Sequence, residues 1–166
     1  LQCEHMVRGN KDLEVRARIR RGADIFFPHC NSTIAAKSGK GASGHNPYVL
    51  IEDELHEWQG TQAFDRWTFG SMARLEWLHL AITNAGDDTE SVCWRQREYA
   101  RKVEAGEIDA PEYLGRIYGV TPEQAEAEIE SVANGATRLP VLARCNPGLG
   151  TILREQDLLA EIKRAI

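Results

Sequence analysis

The stretch NPYVLIEDELHEW, residues 46–58, constrains the fold more than any other part of the chain. Tyr48, Val49, Leu50 and Ile51 form an unbroken apolar run, with Asn46-Pro47 before it and Glu52, Asp53 and Glu54 after it. A short run without polar alternation reads as a strand buried on both faces, the pattern of parallel sheets. A parallel partner must be reached through a long connection, usually a helix. The three acids stand where such a strand ends. Either they mark its exit into solvent, or the strand exists to hold them at a fixed point.

The remaining segments supply the alternation that such a sheet needs. Residues 10–22, NKDLEVRARIRRG, read as a short helix capped by Asn10 or Asp12, with Gly22 just past its end. ADIFFPHC, residues 23–30, reads as a strand that Pro28 ends or confines to an edge, and STIAA, residues 32–36, as another short strand. KSGKGASGHNP is a loop by composition. Residues 60–74 space Ala63, Phe64, Trp67 and Met72 so as to form one or two helices. A second buried strand is expected at 78–83, closed by Asn84, Ala85 and Gly86. Residues 88–106 carry the strongest helix pattern: an acidic start capped by Thr89, apolar Val92, Trp94, Tyr99 and Val103, and Gly106 at the end.

PEYLGRIYGV, residues 111–120, reads as a third strand. A helix follows, with Thr121 as cap, Pro122 in the first helical position and Gly135 past the end. Residues 154–166 form a terminal helix. Strands alternating with helices imply an α/β domain with a mainly parallel sheet flanked by helices. Functional residues in such sheets gather at the carboxyl ends of the strands.

Composition excludes several classes. No apolar run approaches the roughly 20 residues that a membrane span requires. Cys3, Cys30, Cys93 and Cys145 are scattered without a C-x-x-C pair, so neither a disulfide framework nor a zinc site is expected, and a reducing cytosol is the default. The net charge of −5 gives no support to non-specific nucleic-acid binding by the whole chain. The charge is uneven, however: residues 1–45 hold 8 Lys and Arg against 4 Asp and Glu, leaving +4, and the remainder holds 12 against 21, leaving −9. The basic part centres on Arg16, Arg18, Arg20 and Arg21, which read first as a solvated helix face and alternatively as a contact for DNA or a neighbouring subunit. The opening Leu1-Gln2-Cys3-Glu4-His5 has no Met and no basic-then-apolar signal pattern, and the chain is expected to be a piece of a longer reading frame.

Two readings stand for Asp53 and Glu54. An apolar strand ending in Asp-Glu is what nucleoside triphosphate hydrolysis needs, the first acid holding Mg²⁺ through water and the second polarising the attacking water. The other reading makes them acids at a strand end that serve as charges for a following helix. SGKGASG, residues 38–44, invites comparison with a phosphate-binding loop but fails it, because Gly41 follows Lys40 where Ser or Thr is required and a strand rather than a helix comes next. His56-Glu57 fails the zinc-helix pattern, since Gly60 stands where the second His belongs. His56 therefore reads as a surface or packing residue before it reads as a metal ligand. Arg74, just ahead of the second core strand, suits either phosphoryl charge or a structural salt bridge. Trp58, Trp67, Trp77 and Trp94 read as core.

Taken in order, YVLIEDELHEW, FGSMAR, LHLAITNAGDDTESVCWRQREYARKVEAG, and CNPGLG with REQDLLAEIKRAI resemble the large terminase subunit of tailed bacteriophages. The likeness covers most of residues 25–166 and is densest at 46–106 and 144–166. It implies a partial P-loop NTPase of the RecA/ASCE-like kind over residues 1–166, with 107–166 as a linker or helical subregion leading to a nuclease. The phosphate-binding loop would lie upstream and the nuclease downstream, so the fragment alone is expected to be inactive.

By the same resemblance, Asp53 takes the Mg²⁺ of Mg²⁺-ATP, Glu54 activates water, and Arg74 corresponds to a phosphate sensor or finger. Thr83, Asn84, Ala85 and Gly86 take the place of the coupling motif, commonly Thr-Thr-Ala-Gly, with Asn84 the departure. The implied function is ATP-driven packaging of double-stranded DNA by a homo-oligomeric ring, with a portal protein and a small terminase subunit as partners and no membrane. The implied location is the cytoplasm of a bacterial host, transiently at the procapsid portal. A DExH-type helicase, suggested by Asp53-Glu54-Leu55-His56, and a non-catalytic interaction domain are the alternatives.

Overall fold

The computed structural model describes residues 2–20, 24–38 and 44–166. The chain divides into two compact units, Leu1–Arg95 and Gln96–Ile166. No helix among the described residues is long and apolar enough to cross a membrane.

The first unit begins with two short helices, α1 (Gln2–Arg8) and α2 (Lys11–Arg16). Asn10 caps α2, its side-chain oxygen accepting from the Asp12 and Leu13 amides. The helix expected to run to Gly22 stops at Arg16, because Arg16-Ala17-Arg18-Ile19-Arg20 alternates with period two, a strand pattern rather than a helical one. Ala17 turns inward with Val7 and Ile25 to form a small core, and Leu13, Ile19 and Phe27 pack against it.

Strands β1 (Arg18–Ile19), β2 (Ile25–Phe27) and β3 (Ser32–Ile34) make an antiparallel sheet in that order. Pro28 ends β2 as expected, and Asn31 takes the left-handed conformation (φ 53°) that a small polar side chain tolerates in the turn to β3. Residues 21–23 and 39–43, which include Gly22 and most of the Gly-rich loop, lie outside the described residues.

The parallel sheet consists of β4 (Val49–Asp53) and β5 (Leu78–Ile82), paired in register from Val49↔Leu78 to Asp53↔Ile82. Helix α3 (Gln62–Ser71) makes the crossover that parallel pairing demands. Trp67 on α3 seals against Leu50, with Trp58 beside them. The His45 ring stacks on Trp67 at 5.5 Å between centroids. That approach needs Gly70, where a Cβ would stand 2.4 Å from the His45 carbonyl oxygen.

The expectation of burial on both faces is corrected. In β4 only Leu50 and Glu52 are buried, and the opposite face, with Val49, Ile51, Leu78, Leu80 and Ile82, is 45–61% exposed. Among the described residues α3 covers one side of the pair, and the other side is left exposed. The run of apolar residues reflects a strand built for two covered faces.

The helix expected at 88–106 is α4 (Val92–Glu104), followed by Gly106 at φ 74°. Its cap is Ser91 rather than Thr89: the Ser91 hydroxyl accepts from the Trp94 amide and donates to the Asp88 carbonyl. In the second unit Tyr99 meets Tyr113 edge-to-face at 4.9 Å. Burial, and then the neighbouring Tyr99, push the Tyr113 phenol above its ordinary pKa.

Residues 111–120, expected as a strand, form none. Among the described residues the segment has no sheet partner, and Gly115 presses its backbone against α4, where a Cβ would come within 2.6 Å of Ala100 Cβ. Helix α5 (Pro122–Ala133) opens on a complete capping box made by Thr121 and Gln124. The buried Glu128 carboxylate accepts from the Val141 and Leu142 amides at 2.7 and 2.6 Å. Helix α6 (Glu155–Ala165) contributes Glu155, which accepts from the Leu139 amide at 2.8 Å.

Gly70→Ala is expected to force α3 away from residue 45 and destabilise the chain by about 1–3 kcal/mol. Thermal unfolding measures this, and an unchanged midpoint would refute the close approach.

Candidate functional site

Parallel strands bring their carboxyl ends to one edge, and here that edge gathers most of the residues expected to carry chemistry. Asp53 and Ile82 are register partners, so the segments that follow them, residues 54–58 and 83–86, leave the sheet side by side. Glu54 reverses the chain in the left-handed conformation, φ 53° and ψ 48°. For a residue with a Cβ this costs about 1–3 kcal/mol and persists only where surrounding contacts impose it. Those contacts are visible. The reversal starts a 3₁₀ turn, Leu55–Glu57, and drops Leu55 into a fully buried position with Val92 and Cys93, flanked by Trp58 and Phe64. The Trp58 indole donates to the Asp53 carbonyl at 3.3 Å.

The acids divide by the pleat. Asp53 is exposed, and its Oδ1 accepts from the Glu54 amide at 3.1 Å. The Glu54 carboxylate is half exposed and lies 3.2 Å from His56 Nδ1. Glu52, which carried no assignment in the sequence beyond a place at the strand exit, is the buried one at 1% exposure. Its Oε2 is 2.7 Å from His79 Nε2 on β5. Its Oε1 is buried without a partner among the described residues. The His79 ring sits between Phe64 and Trp77, at 5.4 and 6.1 Å. Period two from Leu50 already puts Glu52 on the inward face, and that was the signal available in the sequence.

Residues 83–86 close over the same turn. The Thr83 hydroxyl accepts from the His56 amide at 2.9 Å, lies 3.2 Å from His56 Nδ1 and donates to the Asn84 carbonyl. The buried Cys93 thiol shares its single proton between the Asn84 and Ala85 carbonyls, at 3.4 and 3.7 Å, and its sulfur lies 3.6 Å from Thr83 Oγ1. Gly86, at φ 67°, lets the loop pass where a Cβ would stand 3.0 Å from His56 Cβ. His56 and Cys93 thus hold this loop, although neither was singled out for that role in the sequence.

Arg74 is not part of this edge. Its guanidinium donates to the Asn46 carbonyl at 2.9 Å and side-chain oxygen at 3.2 Å, and stacks on the Tyr48 ring at 4.1 Å. Asn46 and Tyr48 precede β4, so Arg74 stands at the opposite end of the strands from Asp53 and Glu54. The salt bridge expected as its structural alternative is replaced by a carbonyl, an amide and an aromatic face.

Among the described residues no three His, Cys, Asp or Glu side chains converge to hold a metal by themselves. A lone exposed carboxylate such as Asp53 still fits Mg²⁺, which keeps several waters and takes one or two carboxylates together with phosphate oxygens.

The family model for the terminase large subunit, ATPase domain, matches residues 4–102. Protein YmfN of Escherichia coli K12 is 26% identical over 132 residues, which is 80% of this chain and 27% of that protein. The crystal structure of the HK97 bacteriophage large terminase shares the fold, with a TM-score of 0.75 at 21% identity over 98% of this chain and 32% of that one. The chain spans less than a third of the length of either relative.

The Glu52–His79 pair yields a stability prediction. Glu52→Ala or His79→Ala should each cost about 3 kcal/mol, because each strands a buried polar partner. Replacing both by apolar residues (E52M with H79L) should recover most of the loss. Denaturant unfolding of the three variants measures this, and a double variant no more stable than either single one would contradict it.

Proposed function

The chain belongs to the terminase large subunit ATPase-domain family, and from that premise we propose that it is a segment of an ATP-driven motor that moves double-stranded DNA into a procapsid. The parallel register of β4 and β5 is the observation that carries the proposal. It sets Asp53 and Glu54 beside residues 83–86, the two segments that hydrolysis and its coupling to movement would require. The longer protein would supply the phosphate-binding loop upstream, since the G-x-x-x-x-G-K-[ST] pattern does not occur in this chain, and a nuclease downstream that cuts the DNA. On this reading residues 1–166 are part of the ATPase domain and 107–166 lead toward the nuclease. The small terminase subunit, a portal protein and further copies of the chain in a ring are the proposed partners. The host cytoplasm, and transiently the procapsid portal, is the proposed location.

Bound Mg²⁺ would neutralise charge on the phosphates of ATP. Asp53, exposed at the strand end, would accept hydrogen bonds from the water that such an ion keeps. Glu54 would orient and polarise the attacking water and accept its proton. Its strained backbone and its position 3.2 Å from His56 support that assignment, because a general base must be held in place rather than left to wander. Thr83, Asn84, Ala85 and Gly86 would relay the state of the nucleotide to the DNA-moving parts. Arg74 could act as a finger only by releasing Asn46 and Tyr48, so a clamp on the start of β4 is its proposed role.

In the full-length protein, Glu54→Gln should lower ATP turnover by roughly 10²–10⁴-fold while leaving ATP binding intact. Steady-state hydrolysis and nucleotide titration test this, and undiminished turnover would remove Glu54 from the mechanism.

A further inference from the structure

His56 touches both halves of the candidate site. Its backbone amide donates to Thr83 Oγ1 at 2.9 Å, and its Nδ1 lies 3.2 Å from that same oxygen and 3.2 Å from Glu54 Oε2. The Thr83 hydroxyl has a single proton, and the Asn84 carbonyl takes it at 2.9 Å. Toward His56 it can therefore only accept. A carboxylate also only accepts. Both neighbours thus call for a proton on Nδ1, where one N–H is shared between Glu54 and Thr83, while Nε2 on the other side of the ring lies 3.3 Å from the Glu57 carboxylate.

We propose that His56 is a positioning residue that joins the water-activating carboxylate of Glu54 to the loop at Thr83, so that the loop's position sets the carboxylate's. The proposal rests on the functional reading above for what Glu54 does, but not for the link itself. Three features make the link stiff. The ring is largely shielded, with its side chain 19% exposed. Gly86 runs so close to His56 that an added Cβ would stand 3.0 Å from His56 Cβ, so the loop is packed beside this residue. Cys93 ties down the Asn84 and Ala85 carbonyls, so the loop is held by a second side chain as well. Glu54 is itself fixed by its left-handed backbone, which leaves its side-chain torsions as the freedom that His56 removes.

The test has two arms. In the full-length protein, H56A and T83V are each expected to lower kcat by roughly 10-fold with little change in KM for ATP, and the double variant should be no worse than the poorer single one. H56N should restore much of the rate, because its side-chain amide falls where Nδ1 was. Losses that multiply in the double variant, or an H56N no better than H56A, would overturn the proposal. In the second arm, ring ¹⁵N spectra of the 166-residue chain should show His56 protonated at Nδ1, with the signal moved by both T83V and E54Q. A proton on Nε2 alone, or a ring signal indifferent to either variant, overturns the link whether or not the full-length protein hydrolyses ATP. Absence of ATP turnover combined with the expected ring signals would instead overturn the functional reading and leave the link standing.

Discussion

The site depends on the in-register parallel pairing of β4 with β5. A slip of one residue would exchange the two faces of β4, sending Leu50 and Glu52 into solvent and Val49 and Ile51 onto α3. Two interactions oppose that slip. Trp67 on the crossover helix seals Leu50, and the Glu52 carboxyl meets His79 on the neighbouring strand at 2.7 Å. The second is the more selective. An apolar contact tolerates small displacements, whereas a buried carboxyl separated from its partner is left wholly unsatisfied. The residue just before Asp53 thus contributes geometry.

From that register the rest follows by connectivity. Once Asp53 and Ile82 end their strands side by side, the two following segments must compete for the same space. Glu54 resolves the competition by turning left-handed, at a cost that the burial of Leu55 among Val92, Cys93, Trp58 and Phe64 offsets. Full burial of a leucine is worth about 1.5–3 kcal/mol, comparable with the strain. The turn then presents His56 to Thr83, and the Cys93 thiol ties down the carbonyls that follow. Backbone strain at Glu54, an orphaned oxygen on Glu52 and an uncovered sheet face all occur on these two strands. Such local departures are expected where a structure serves a site as well as its own stability.

Legibility in the sequence tracked the range of the interactions involved. The helix caps at Asn10 and Thr121, the stops at Gly106 and Gly135 and both parallel strands were readable, because each is decided by neighbours in sequence. The shift of the α4 cap from Thr89 to Ser91 is a local error of two residues between equally suitable hydroxyls. Residues 111–120 failed for a different reason. Tyr113, Leu114, Ile117 and Tyr118 satisfy strand composition, but a strand needs a partner edge and none among the described residues reaches them. Residues 16–20 failed because charge content outweighed the period-two alternation that sends Ala17 and Ile19 inward.

The sequence by itself determined the acids and the elements that hold them: an apolar strand ending in Asp53-Glu54, a second ending in Thr83-Asn84-Ala85-Gly86, and the helices capped at Asn10 and Thr121. Covalent order and local periodicity suffice for that. Only the tertiary structure decided which of three consecutive acids is buried, that Arg74 braces the start of β4 rather than its end, and that His56 and Cys93 both hold the loop. Those outcomes depend on contacts between residues about 10 to 30 positions apart, and the strand register that creates them is a property of two segments together, carried by neither alone.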